Sequence, residues 1–221
     1  MNPALRGIWE HMRDLALGAL AHANRHAAYA AMDNPRWPEL SVLQAAHAAE
    51  LLIKARIAQE HPLLIFEKLP GSNSAGDLLD LEGLFKDGRT VQWSELPDRL
   101  WAATGITIPN ITRYKSFGRL RNGIQHFAPP AGQNAGEETL KFVFEVVDPF
   151  INRCWQLFAV DYDEDPEPYI YFVRSLINRE ILFLVSPNAA REFDHWDVDW
   201  SDTSEAYRNE MHSRVGAALS S

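Results

Sequence analysis

The chain has 221 residues, 46% of them apolar, with a formal net charge of −9. That length buries a proper core, as one domain or as one domain with an extension, and the apolar share rules against wholesale disorder. The acidic balance argues against general coating of nucleic acid, so any contact with RNA is expected to be local.

No apolar run is long enough to span a membrane, and the first residues carry no secretory pattern. The single cysteine, Cys154, allows no internal disulfide and fits a reducing, cytoplasmic setting. No internal repeat or low-complexity segment is visible.

Residues 3–32 read as a long amphipathic helix with Ile8, Met12, Leu15, Ala19 and Ala23 along one stripe. Asp33, Asn34, Pro35 and Pro38 break it. Ser41 is placed to cap a second helix that runs to about Glu60. His47, Glu50, Lys54 and His61 lie near one face of that helix. One reading of them is a solvated face with a Glu50–Lys54 ion pair. The other sets His47, Glu50 and Lys54 beside the motif described below, as residues that orient it or touch RNA.

The stretch 61–105 reads as an insertion. An apolar segment, 61–69, tucks against the core, and 70–74 is a loop. A short helix is expected over 77–85, then a turn at 86–89 and a briefly extended 90–93, the minor β element. Ser94 caps a helix that ends at Gly105.

Asn110 is a plausible N-cap for a helix over 110–127, with Ile111, Tyr114, Phe117, Leu120 and Ile124 as its buried stripe. Ala128 precedes Pro129, which pushes it out of helical geometry, so the helix stops near Phe127 with His126 in its last turn. No Asp or Glu occurs from Arg99 to Gly136, whereas Arg99, Arg113, Lys115, Arg119 and Arg121 supply five positive charges. A basic island in an acidic chain is a candidate phosphate-contact surface, with Arg113, Lys115 and Arg119 as RNA-binding candidates. Tyr114 and Phe117 sit at core spacing, which favours packing over base stacking.

Arg121, Asn122 and His126 form the candidate chemical set. An arginine steadies a phosphate with its planar fork of donors, and a histidine moves protons near neutral pH. Asn122 and His126 are four apart and share a face, whereas Arg121 and His126 point roughly 140° apart on an ideal helix. Either the long Arg121 side chain reaches round, helped by Gly123, or two copies meet across a two-fold axis and share the arginines. The second arrangement is the favoured one.

Past a connection at 129–136, Leu140, Val143, Phe144, Val147, Phe150, Ile151, Cys154 and Phe158 form a strong helical stripe. Pro149 lies within it and is expected to kink or restart the helix. Cys154 reads as a small buried hydrophobe. The acidic stretch 161–167 is the expected boundary between residues 1–160 and an extension, 161–221. In the extension, residues 169–177 match a helix, and 181–185 is a buried strand or a packed extended segment. The acidic tail with Trp196 and Trp200 either docks its aromatics on the core or forms an arm that competes with RNA.

His22 and His26 have metal-ligand spacing on a helix but lack the glutamate of a zinc protease, so a surface or core role is expected and no metal is assigned. There is no glycine-rich phosphate loop and no nucleophile elbow, and no cofactor is expected.

The run Arg121-Asn122-Gly123-Ile124-Gln125-His126 resembles the signature of the HEPN superfamily (higher eukaryotes and prokaryotes nucleotide-binding domain), an arginine followed four to six residues later by a histidine, often with a polar residue after the arginine. The segment 46–55 also resembles a HEPN helix, and the resemblance covers roughly residues 1–161. It implies an all-α antiparallel bundle, usually dimeric. It also implies a metal-independent endoribonuclease of toxin–antitoxin or phage-defence type, with RNA as substrate and an antitoxin or regulatory protein as a further partner. In that chemistry His126 acts as general base or acid, Arg121 stabilises charge building on the phosphate, and Asn122 orients His126 or the phosphate. Some members of the superfamily are catalytically silent modules that bind a protein, a nucleotide or RNA, and that is the alternative expectation.

Overall fold

The computed structural model describes residues 2–29, 31–71, 79–128, 132–164, 170–193 and 198–220. The fold is all-α with a minor β element, one two-stranded antiparallel ribbon among the described residues. The expected loop at 70–74, the connection at 129–136, the acidic linker at 161–167 and the tail around Trp196 fall wholly or partly outside these residues.

The chain packs as two compact units, Met1–Leu17 with His47–Ile108 and Gly18–Ala46 with Pro109–Ser221. The helices α1 (Ile8–Ala28) and α2 (Trp37–Glu60) each contribute to both. On α1 the buried positions are Ala16, Leu20, Ala23, Asn24, Ala27 and Ala28, and Leu15 is 52% exposed. Ala23 is buried as expected, whereas at Leu15 and Ala19 the buried residue is the next one on, Ala16 and Leu20. Small alanines are the residues that admit close helix approach, and they, more than the larger side chains, mark the buried side.

Helix α2 starts four residues before Ser41, with Pro38 in its first turn, where a missing N–H costs nothing. Ser41 is therefore no cap. Its hydroxyl donates to Pro38 O at 2.6 Å and pairs with Thr139 Oγ1 at 2.8 Å, both buried in the second unit. Along α2, residues Val42, Ala45, Ala46, Ala48, Ala49, Leu52, Ile53, Ala55, Ile57 and Ala58 are all buried, the mark of a helix packed on more than one side.

In the first unit, His61 caps a 3-10 turn, accepting from Leu63 N at 3.2 Å. The ribbon joins β1 (Phe66–Lys68) to β2 (Arg89–Thr90). Between them lies α3 (Leu81–Asp87), capped by Asp80 and so starting later than expected. Helix α4 (Leu96–Thr104) follows a 3-10 turn at Trp93–Glu95 and ends, as expected, at Gly105, whose φ of 71° is left-handed.

In the second unit, α5 (Ile111–His126) packs on α6 (Ala135–Phe142), with Phe117 and Phe142 stacked at 3.9 Å. The helix then continues through a π segment, Val143–Val147, into α7 (Asp148–Trp155). Pro149 explains the widened turn. It has no N–H to give, and its ring would crowd the carbonyl four residues back. The Asp148 N–H bonds instead to Val143 O, five residues back. The stripe expected here is buried from Leu140 to Ile151, whereas Cys154 is only partly buried.

Helix α8 (Ile170–Ile177) buries Phe172, Val173, Leu176 and Ile177, as its spacing predicts. Residues 181–185 form no paired strand, and Ile181, Phe183 and Val185 are buried in alternation. Phe183 and Phe172 both meet Phe144 with ring centroids 6.1 Å apart. Helices α9 (Pro187–Phe193) and α10 (Glu205–Leu219) pack together. Trp200 docks against them, 6.5 Å from Phe193 and 5.0 Å from His212 between ring centroids.

Candidate functional site

The frame of the site is α5. Asn110 caps it, its side-chain oxygen accepting from Arg113 N at 3.0 Å. Tyr114, Phe117, Gly118 and Leu120 are buried and fix the rotation of the helix. The helix stays regular through Gly123 and ends at Phe127, whose N–H donates to Gly123 O at 2.8 Å.

That rotation sets the faces. Lys115, Arg119, Asn122 and His126 are all exposed. They follow one another at intervals of four, three and four residues, so they form one stripe along the helix. At 1.5 Å per residue the stripe is roughly 16 Å long. Arg121 sits nearly opposite, half-buried, yet its Nη1 reaches Asn122 Oδ1 at 3.3 Å. The contact joins two sequence neighbours on α5. His126, in the last turn, is open to solvent.

Arg113 is placed differently. Its guanidinium is half-buried and donates to Glu138 Oε2 at 2.9 Å and to both oxygens of Glu145 at 3.2 Å. Asn110 Nδ2 donates to the same Glu145 at 2.9 Å. The positive charge of Arg113 is thus spent inside the second unit, tying α5 to the helix that follows. The acid-free stretch from Arg99 to Gly136 is acid-free only in sequence.

His47, Glu50 and Lys54 belong to the first unit, whereas α5 belongs to the second. The Glu50–Lys54 pair forms, with Nζ to Oε1 at 2.6 Å. It is not the solvated face expected, because Lys54 is only 6% exposed and its Nζ also donates to Thr90 Oγ1 at 3.1 Å on β2. Strand β2 covers it. His47 is exposed.

Of the two histidines at metal spacing, His22 pairs with Glu164 at 2.7 Å, and His26 meets Gln44 at 2.8 Å and the Trp37 ring at 4.5 Å. Among the described residues there is no group of three or more metal-ligating side chains.

One polar centre escapes a reading of the sequence. Asp148 is fully buried and accepts backbone N–H bonds from Ala159 and Leu184, each at 2.8 Å. Burial pushes its carboxyl up to about 7, against the opposing pull of the two N–H donors and of Arg214. Asp161, held by Ser186 Oγ at 2.6 Å, is also raised by burial. The signal in the sequence was an aspartate inside the apolar run Val146-Val147-Asp148-Pro149-Phe150-Ile151.

No described helix is long and apolar enough to cross a membrane. No family model, no curated protein and no solved structure matches the chain.

Proposed function

We propose that this chain is a metal-independent endoribonuclease that cuts RNA by attack of a ribose 2′-hydroxyl on the adjacent phosphate. The observation that supports it best is the exposed stripe on α5, where Lys115 and Arg119 lead into Asn122 and His126 and Arg121 joins at Asn122. The resemblance of Arg121–His126 to the HEPN signature points the same way. In the reaction the 2′-oxygen bonds to phosphorus as the bond to the 5′-oxygen breaks. His126 takes the proton from the 2′-hydroxyl or delivers one to the departing 5′-oxygen, with water handling the other transfer. Arg121 stabilises the charge on the phosphate, and Asn122 holds the arginine towards it. DNA lacks the attacking group and is not a substrate.

A homodimer, an antitoxin partner and a toxin or defence role in the cytoplasm are what the resemblance adds. The mass of the purified particle tests the first of these.

The deciding experiment is cleavage of a broad RNA pool in excess EDTA by the wild type and by Arg121→Ala and His126→Ala, matched for folding. Cleavage by the wild type alone, leaving 2′,3′-cyclic phosphate ends, supports the reading. Equal cleavage by all three overturns it. Silence from all three favours a binding module.

A further inference from the structure

We infer that Phe127 is a stacking platform for an unpaired base, so that the substrate of the α5 site is single-stranded RNA. The inference rests on the ribonuclease reading for its place beside the scissile phosphate, and adds the class of strand.

Phe127 is 92% exposed and directly follows His126. The core stripe of α5 is complete without it, since Tyr114, Phe117 and Leu120 are already buried. Leaving a phenyl ring in water forgoes a large hydrophobic gain, which makes so exposed a ring a candidate contact. Its backbone is held, because its N–H closes the last turn of α5 on Gly123 O at 2.8 Å. The ring therefore has a fixed root beside His126.

The surroundings select the occupant. Phe127 follows His126, the last residue of the stripe that carries Lys115 and Arg119, both exposed, and no acid occurs in sequence from Arg99 to Gly136. A partner that is both polyanionic and aromatic matches such a surface. Phosphates lie along the cations, and a base lies on the ring. A second copy of this chain docking through the same stripe would instead bring two like-charged stripes together. Duplex RNA keeps its bases stacked inside and offers side chains no access to its deep major groove, so only an unpaired base can reach the phenyl face.

The test uses the full chain with His126→Ala, which keeps RNA intact, and a single-stranded oligoribonucleotide carrying 2-aminopurine as a fluorescent base. Adding Phe127→Ala is expected to weaken binding roughly 5- to 150-fold and to abolish the fluorescence change on binding. Adding Phe127→Trp is expected to restore both, and the same sequence as a duplex is expected to bind more weakly. Unchanged binding by Phe127→Ala overturns the inference. So does equal binding of the duplex, or a change in particle mass on Phe127→Ala, which would assign the ring to an interface between copies. Cleavage in EDTA separates the two proposals. Cleavage by the wild type with binding indifferent to Phe127 leaves the ribonuclease standing and removes the platform. Phe127-dependent binding without cleavage removes the ribonuclease and keeps the platform.

Discussion

Arg113 and Glu145 form a fork-to-fork pair, with Nε on one carboxylate oxygen and Nη2 on the other, each at 3.2 Å. Planar guanidinium and planar carboxylate match each other in a way that no lysine reproduces. Glu138 and Asn110 complete the cluster, which joins the start of α5 to the helix that follows it. Arg113→Ala leaves Glu138 and Glu145 without their shared cation. With the pair partly open to solvent, the expected loss is about 1–2 kcal/mol of folding stability. Arg113→Lys should recover only part of it. Urea denaturation of the three proteins checks this, and wild-type stability in Arg113→Ala would show that the pair is an ornament of the surface.

The second prediction concerns Asp148 and pH. Its carboxyl titrates near 7 in the fold against an ordinary value of 3.8, so the folded state holds the proton more tightly than the unfolded chain does. The stability this group contributes is therefore complete below about pH 3.8 and is lost as pH rises through about 7. The replacement to compare is Asp148→Asn, which cannot ionise. A protonated carboxyl still offers a lone pair from each oxygen to Ala159 N and Leu184 N, whereas the carboxamide turns an NH2 towards one of them. Asp148→Asn should thus cost about 1–3 kcal/mol at low pH. The gap to wild type should narrow as pH rises towards 7, and a gap that stays constant from pH 4 to 7.5 would refute the shift.

Local features were legible in the sequence where the cause is local. The N-cap at Asn110, the stripe from Ile111 to Ile124 and the stop before Pro129 depend on near neighbours, and α5 follows them at Tyr114, Phe117 and Leu120, whereas Ile111 is 39% exposed and Ile124 half-buried. The partners of polar side chains depend on the whole chain and were not legible. The acids that hold Arg113 lie 25 and 32 residues further on, and the hydroxyl that meets Lys54 is 36 residues away. The choice between Leu15 and Ala16 on α1 was hidden for a related reason. The expected stripe took the larger Leu15, whereas the buried residue there is its small neighbour Ala16. In the candidate site, the shared face of Asn122 and His126 followed from spacing, whereas the reach of Arg121 to Asn122 needed the side-chain geometry.

Gly136 gives a prediction whose sign opposes helix propensity. It lies in the first turn of α6, where alanine is ordinarily favoured over glycine by about 0.5–1 kcal/mol. A Cβ at Gly136 would stand 2.8 Å from Ala27 O, a backbone atom at the end of α1. That end is also held through Ala28 O, which accepts from Ser175 Oγ at 3.3 Å and Arg179 Nη2 at 3.2 Å. The carbonyl at 27 therefore has little room to give. Gly136→Ala should lower stability by about 1–3 kcal/mol, as overpacking does. A midpoint at or above that of the wild type in chemical denaturation would mean that the contact relaxes at no cost.

The salt dependence of RNA binding separates the cations that face solution from the one that does not. Each lysine or arginine that neutralises a phosphate of a single strand adds about 0.7 to the slope of log affinity against log salt. Lys115 and Arg119 are exposed on the same face as His126, so the double replacement Lys115→Ala with Arg119→Ala should lower that slope by roughly 1.4. Arg113 is already neutralised by Glu138 and Glu145, so Arg113→Ala should leave the slope unchanged in protein that remains folded. The measurement is a titration of single-stranded RNA at several salt concentrations on the His126→Ala background. Equal slopes for the parent and the double variant would remove the stripe from the RNA path. A reduced slope for Arg113→Ala would mean that RNA opens the Arg113–Glu145 pair on binding, and that phosphate competes with carboxylate for the same guanidinium.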